Sequence, residues 1–128
     1  MKSTPVEIVV LAPAWRTALK DGSRLARQAA RAALHGAGAA QERRGIAIAL
    51  GDDALLQDLN HRYRGKDKPT NVLSFPADDP DRLGDVALAL GTLQRAARER
   101  GKTLNAPFQR LVVHGTLHLL GPGAAVSA

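Results

Sequence analysis

The sequence predicts a single α+β domain built on a mixed four-stranded sheet with one antiparallel hairpin, packed helices, and a central buried C-terminal helix. Three observations carry this prediction. Strand and helix periodicities follow one another as strand, helix, strand, helix, strand, strand, helix, helix, an order that layers helices on one sheet. The length of 128 residues suits one domain, 1–128, large enough to bury a core without staples. The last apolar segment, from Phe108 to about Leu120, is hydrophobic nearly all round, which is the pattern of a buried helix.

Each element has a local reason. Residues 6–11 are short and rich in Val and Ile, and Pro13 closes them, so they read as the first strand. Residues 23–38 read as a helix, because Ala26, Ala29, Ala30, Ala33 and Leu34 recur at helical intervals before Gly36 and Gly38. Residues 45–50 alternate Ile and Ala and predict a second strand. Asp52 or Asp53 then caps a helix running to about Tyr63, with Leu55, Leu56, Leu59 and Tyr63 as its apolar face. Residues 65–69 form a charged loop. Residues 71–75 read as a third strand stopped by Pro76, residues 77–81 as an acidic turn, and residues 86–90 as a fourth strand. The third and fourth strands are near enough for an antiparallel hairpin with a long loop. A short basic helix over 92–100 ends at Gly101. Pro107 opens the last helix, where a missing N–H costs nothing.

Composition narrows the chemistry. There is no cysteine, so disulfides and thiolate metal sites are excluded and any metal rests on nitrogen and oxygen ligands. The charge is +6, with 13 Arg and 5 Lys, and the pI is near 10.5. Such a balance suits a polyanionic partner, and arginine grips phosphate bidentately; an Arg- and Ala-rich genomic bias accounts for the same charge equally well. Arg24, Arg27 and Arg31 make a basic stripe whose ordinary role is a solvated face, with phosphate contact as the alternative. The apolar run 6–12 contains Glu7 and falls far short of the ~20 residues of a membrane span. A first strand explains it better than a secretory segment, and a cytoplasmic protein without membrane partners is expected.

The most informative feature is His114-Gly-Thr-Leu-His118-Leu-Leu-Gly121. Histidines four apart on a helix share one face, one turn apart, and two imidazoles so placed can grip one transition metal. Gly115 costs about 1 kcal/mol in a helix interior, so a close approach by another group should repay it. A hydrolytic zinc site usually has three protein ligands and one open position. Here residues 122–128 contain no His, Cys, Asp or Glu. A zinc peptidase would also need a glutamate directly after the first histidine, where this chain has Gly115.

Several blocks together resemble the YbeY-type endoribonucleases, bacterial rRNA maturation factors whose signature is His-Gly-x-Leu-His-Leu-x-Gly-Tyr-Asp-His. This chain matches it from His114 through Gly121. Upstream, Asn60, Tyr63, Arg64 and Gly65 match an Asn-x-x-Tyr-Arg-Gly stretch. Residues 68–76 (Lys-Pro-Thr-Asn-Val-Leu-Ser-Phe-Pro) match the family's Pro-Thr-Asp/Asn-Val-Leu-Ser-Phe-Pro block, and residues 83–86 match its Leu-Gly-Asp-Ile/Val strand. After Gly121 the resemblance stops: Pro122, Gly123 and Ala124 stand where the family has Tyr-Asp-His, and the family's further C-terminal helix has no counterpart. An altered reading frame and a decayed paralogue both account for this.

The resemblance implies a zinc-dependent, single-strand-specific endoribonuclease acting on rRNA at the small-subunit 3′ end and in ribosome quality control. It implies His114 and His118 as ligands to one Zn2+ ion and Arg64 as the catalytic arginine on the scissile phosphate. With Ala124 at the third ligand position, metal binding should be weak and catalysis impaired. The alternatives are a non-catalytic RNA- or ribosome-binding protein and, less favoured, a peptidase-like hydrolase. Thr70, Asn71 and Ser74 read first as cleft architecture. Asp85 reads equally as a turn cap or as a group orienting a ligand histidine. Arg95, Arg98, Arg100 and Arg110 are candidate RNA contacts, and His61 reads as a surface histidine.

Overall fold

A computed structural model describes residues 4–121. The strands β1 (Val6–Val10), β2 (Gly45–Gly51), β3 (Val72–Asp79) and β4 (Arg82–Ala89) form one sheet in the order β1-β2-β4-β3. β1 and β4 both run parallel to β2, while β3 runs antiparallel to β4. The expected mixed sheet with one hairpin is therefore present. No helix among the described residues is long and apolar enough to cross a membrane.

Among the described residues five helices pack with the sheet: α1 (Ala14–Ala18), α2 (Gly22–Gly36), α3 (Asp53–Arg64), α4 (Leu90–Glu99) and α5 (Asn105–Leu119). α2 and α5 share one core with the sheet. Ala26 and Ala30, both fully buried, let α2 come close to Phe108 and Val112 of α5. α3 covers the opposite face, where Leu56 packs with Leu73, Ala87 and Ala89. The alternation along β4 follows: Val86 and Leu88 face the α5 core, and Ala87 and Ala89 face α3. As expected, α5 is buried or half-buried throughout its C-terminal half.

The structure departs from the sequence reading in instructive places. α1 was not anticipated, because five residues carry no helical period. Its anchor is Trp15, buried against Phe108 at 5.5 Å between ring centroids and donating its indole N–H to the Gly51 carbonyl at 2.7 Å. The hairpin loop is short rather than long, since β3 continues to Asp79 and β4 begins at Arg82. Pro76 does not stop the strand. Ala89 donates to the Asn71 carbonyl, so residues 71, 73 and 75 bond to β4 and residues 72, 74 and 76 turn their backbone groups to the open edge. Proline is tolerated where its missing N–H would face outward.

α4 begins at Leu90, two residues earlier than expected, and has no side-chain cap of its own. Asp53 supplies one from α3, accepting from Thr92 N–H at 2.8 Å and from Arg95 at 2.8 Å. Burial pushes the Asp53 carboxyl up, but these hydrogen bonds outweigh it and hold it below its ordinary value. Arg95 is thereby committed to the fold rather than to RNA. The α2 stripe is partly spent as well: Arg24 pairs with Asp21 at 3.1 Å, and Arg27 donates to the Val6 carbonyl at 3.2 Å.

Glu42 closes the loop before β2, accepting from Arg44 at 2.8 and 3.0 Å and from the backbone N–H groups of Arg43 and Arg44. The Arg44 guanidinium holds this carboxyl down at about 2, against an ordinary 4.5. A depressed carboxylate contributes stability that is full above its unfolded-state value and is lost as pH falls through the folded one. Thermal melts should therefore show a loss of Tm between pH 4.5 and about 2 that is smaller in Glu42→Gln, which lacks this titration.

Candidate active site

The site begins with the contact between α5 and the sheet. A Cβ placed on Gly115 would stand 2.5 Å from Val86 Cγ1 and 3.1 Å from Ser74 Oγ, so no larger residue fits without displacement. This close approach explains the helix-interior glycine. The Ser74 hydroxyl donates to the Gly115 carbonyl at 2.9 Å, tying β3 to α5 between the two histidines. Ser74 therefore acts in the architecture of the cleft, as expected.

His114 and His118 line one groove of about 690 Å3 together with Gly115. The run Val72–Pro76 along β3, preceded by Thr70 and Asn71, lines it as well, as do the exposed Tyr63 and Arg64 at its mouth. Both histidines are half-buried. Nδ1 of His114 is buried with no hydrogen-bond partner among the described residues. An orphaned buried polar atom carries a desolvation cost that a bound partner would relieve. Among the described residues, no third His, Cys, Asp or Glu joins the pair in a metal-binding group. Ala124 lies outside the described residues.

Arg64 is placed by the end of α3. Gly65, at φ 68°, takes the left-handed conformation that terminates the helix, and its N–H bonds to the His61 carbonyl at 3.0 Å. Asn60, 2 % exposed, donates from Nδ2 to the Lys68 carbonyl at 3.0 Å, and its main-chain carbonyl accepts from Lys66 N–H. These bonds fold the charged loop back so that the chain re-enters the groove at Thr70. Arg64 is exposed and, among the described residues, makes no ion pair or side-chain hydrogen bond. Its charge is available to a ligand.

Other expected contributors lie elsewhere. Asp85 sits within β4 on the face away from α5 and is paired with Arg82, so it neither caps a turn nor orients a histidine. Arg98, Arg100 and Arg110 are exposed but do not line the groove, and His61 is on the surface. Tyr63, read from its spacing as part of the α3 core face, is instead 66 % exposed at the groove mouth. Helical spacing could not show this, because exposure at the last turn of α3 depends on what packs against it from elsewhere in the fold. The sequence signal was its position beside Arg64 in the matched block.

The profile of the endoribonuclease YbeY family matches residues 14–122. The chain belongs to the YbeY endoribonuclease family. An endoribonuclease YbeY of Paramagnetospirillum magneticum is 42 % identical, across 91 % of this chain and 77 % of that protein. One from Nitrobacter winogradskyi is 44 % identical, across 93 % of this chain and 68 % of that protein. One from Pseudomonas entomophila is 51 % identical over 82 residues, covering 59 % of this chain and 52 % of that protein. The solution structure of TM1509 from Thermotoga maritima has the same fold, with a TM-score of 0.61 at 23 % identity over 91 % of this chain and 73 % of that one. With YbeY membership established, the peptidase reading lapses. Gly115, at the position a peptidase gives to its glutamate, serves helix–sheet packing instead.

Replacing Gly115 by Ala should lower stability by about 1–2 kcal/mol, since overpacking against Val86 exceeds the helix-propensity gain. In a Val86→Ala background the same change should be neutral or favourable, as calorimetry of the four proteins will show.

Proposed function

We propose that this chain is a zinc-dependent, single-strand-specific endoribonuclease of rRNA maturation, working in the cytoplasm at the 3′ end of small-subunit rRNA and in ribosome quality control. One observation carries the proposal: two imidazoles and an arginine without a carboxylate partner line the same groove. His114 and His118 suit Zn2+ as nitrogen donors, and the unpartnered Nδ1 of His114 is consistent with a ring engaged by a further group. The ion, when bound, supplies a Lewis acid that polarises a phosphoryl oxygen or acidifies a water.

The protein's own groups do the rest. The Arg64 guanidinium holds the scissile phosphate and steadies the charge that develops on its oxygens. The Ser74–Gly115 bond keeps the histidine-bearing turn at a fixed height above β3. The open edge of β3 gives the groove the length to accept an extended strand. With Ala124 where the family places a third histidine, two protein ligands leave the ion weakly held and the turnover reduced.

The test uses labelled single-stranded and duplex RNA with purified protein. Cleavage should be confined to the single strand, stop with a chelator, and return with zinc. Arg64→Ala should lower the rate by about 10²–10³-fold without changing zinc content. His114→Ala should reduce zinc content, and Tyr-Asp-His at 122–124 should raise zinc affinity. Cleavage indifferent to chelation would contradict the metal role. Salt-dependent binding without cleavage or metal would favour a non-catalytic RNA- or ribosome-binding protein instead.

A further inference from the structure

Of the four aromatic residues in the chain, Trp15 and Phe108 are buried in the core, while Tyr63 and Phe75 line the same groove as the histidines. Tyr63 is one of two large hydrophobic side chains exposed among the described residues, and the other, Leu11, lies away from the groove. The Tyr63 ring is also held in place. It stands edge-to-face with Phe75, 5.3 Å between centroids at 65°, and the Arg62 guanidinium carbon lies over it at 5.9 Å. Arg62 in turn pairs with Asp58 at 3.0 Å on the surface. An exposed ring that already rests against an aromatic and a cation presents an apolar face at a reduced entropy cost of ordering.

We propose that Tyr63 is the stacking platform for an unpaired nucleobase, the base attached to the sugar-phosphate that Arg64 holds. The proposal rests on the ribonuclease function above. Arg64 is the next residue in the chain and lines the same groove, so a cation for the phosphate and a π-face for the base stand side by side. Splayed bases of single-stranded RNA are held in this way, by stacking on aromatic side chains, and every base has a face to offer. A duplex keeps its bases stacked on one another and has none free. Tyr63 is thus a positioning residue that makes the site prefer single strands while remaining tolerant of sequence. Phe75, in a T-shaped contact with Tyr63, supports the platform rather than extending it.

Binding of a short single-stranded RNA carrying 2-aminopurine, with chelator present to prevent cleavage, tests this. Tyr63→Phe and Tyr63→Trp should retain quenching of the probe and affinity within about two-fold. Tyr63→Leu keeps an apolar contact with Phe75 but has no π-face. It and Tyr63→Ala should lose the quenching and bind about 5- to 150-fold more weakly. The salt dependence should be unchanged in all four, whereas Arg64→Ala should reduce its slope by about one phosphate. Binding by Tyr63→Leu equal to that of Tyr63→Phe would overturn the platform alone. No RNA binding by the unsubstituted protein would overturn the platform and the ribonuclease function together.

Discussion

The site depends on how closely α5 can lie on the sheet. Gly115 removes the one Cβ that would collide with Val86, and Ser74 uses the resulting proximity to bond the Gly115 carbonyl. Because histidines at i and i+4 share a face, fixing the residue between them fixes both rings relative to β3. Val112 and Phe108, about one and two turns earlier on the same helix, are fully buried in the core shared with α2 and the sheet. The histidines therefore project from a rigid element rather than from a loop, which is what a reacting geometry requires.

Charge is distributed with a similar economy. Arg24, Arg27, Arg44, Arg62, Arg82 and Arg95 are occupied with carboxylates or a carbonyl of the fold. Arg64 is exposed and not so occupied, and it stands at the mouth of the groove. The excess of arginine over acid in the composition thus says little about where a polyanion binds. What locates the site is a cation that combines two properties: it is not spent on the fold, and it lines the groove that holds the histidines.

Much of this was legible in the sequence, for identifiable reasons. The alanine spacing of α2, the Ile-Ala alternation of β2 and the all-round hydrophobicity of α5 are local patterns, and each became the element it predicted. The histidine pair was legible because its spacing alone puts both rings on one face. Arg64 was legible only through the matched block, since no spacing distinguishes it from twelve other arginines. What local pattern could not reveal depends on contacts across the fold. Pro76 looks like a strand breaker until the pairing register puts it at an outward position. Tyr63 looks like core until the fold leaves its ring exposed in the groove. Asp85 reads equally as a turn cap or a histidine partner until the register places it within β4 on the other face.

The central claim is that His114 and His118 act as one binding unit in the groove, and the chain offers two internal controls in His35 and His61. Titrating zinc into protein labelled with 15N at histidine, and following all four imidazoles by NMR, tests it directly. The resonances of His114 and His118 should shift together along one saturation curve while those of His35 and His61 stay still. Shifts in only one of the pair, or equal shifts in all four, would contradict the account.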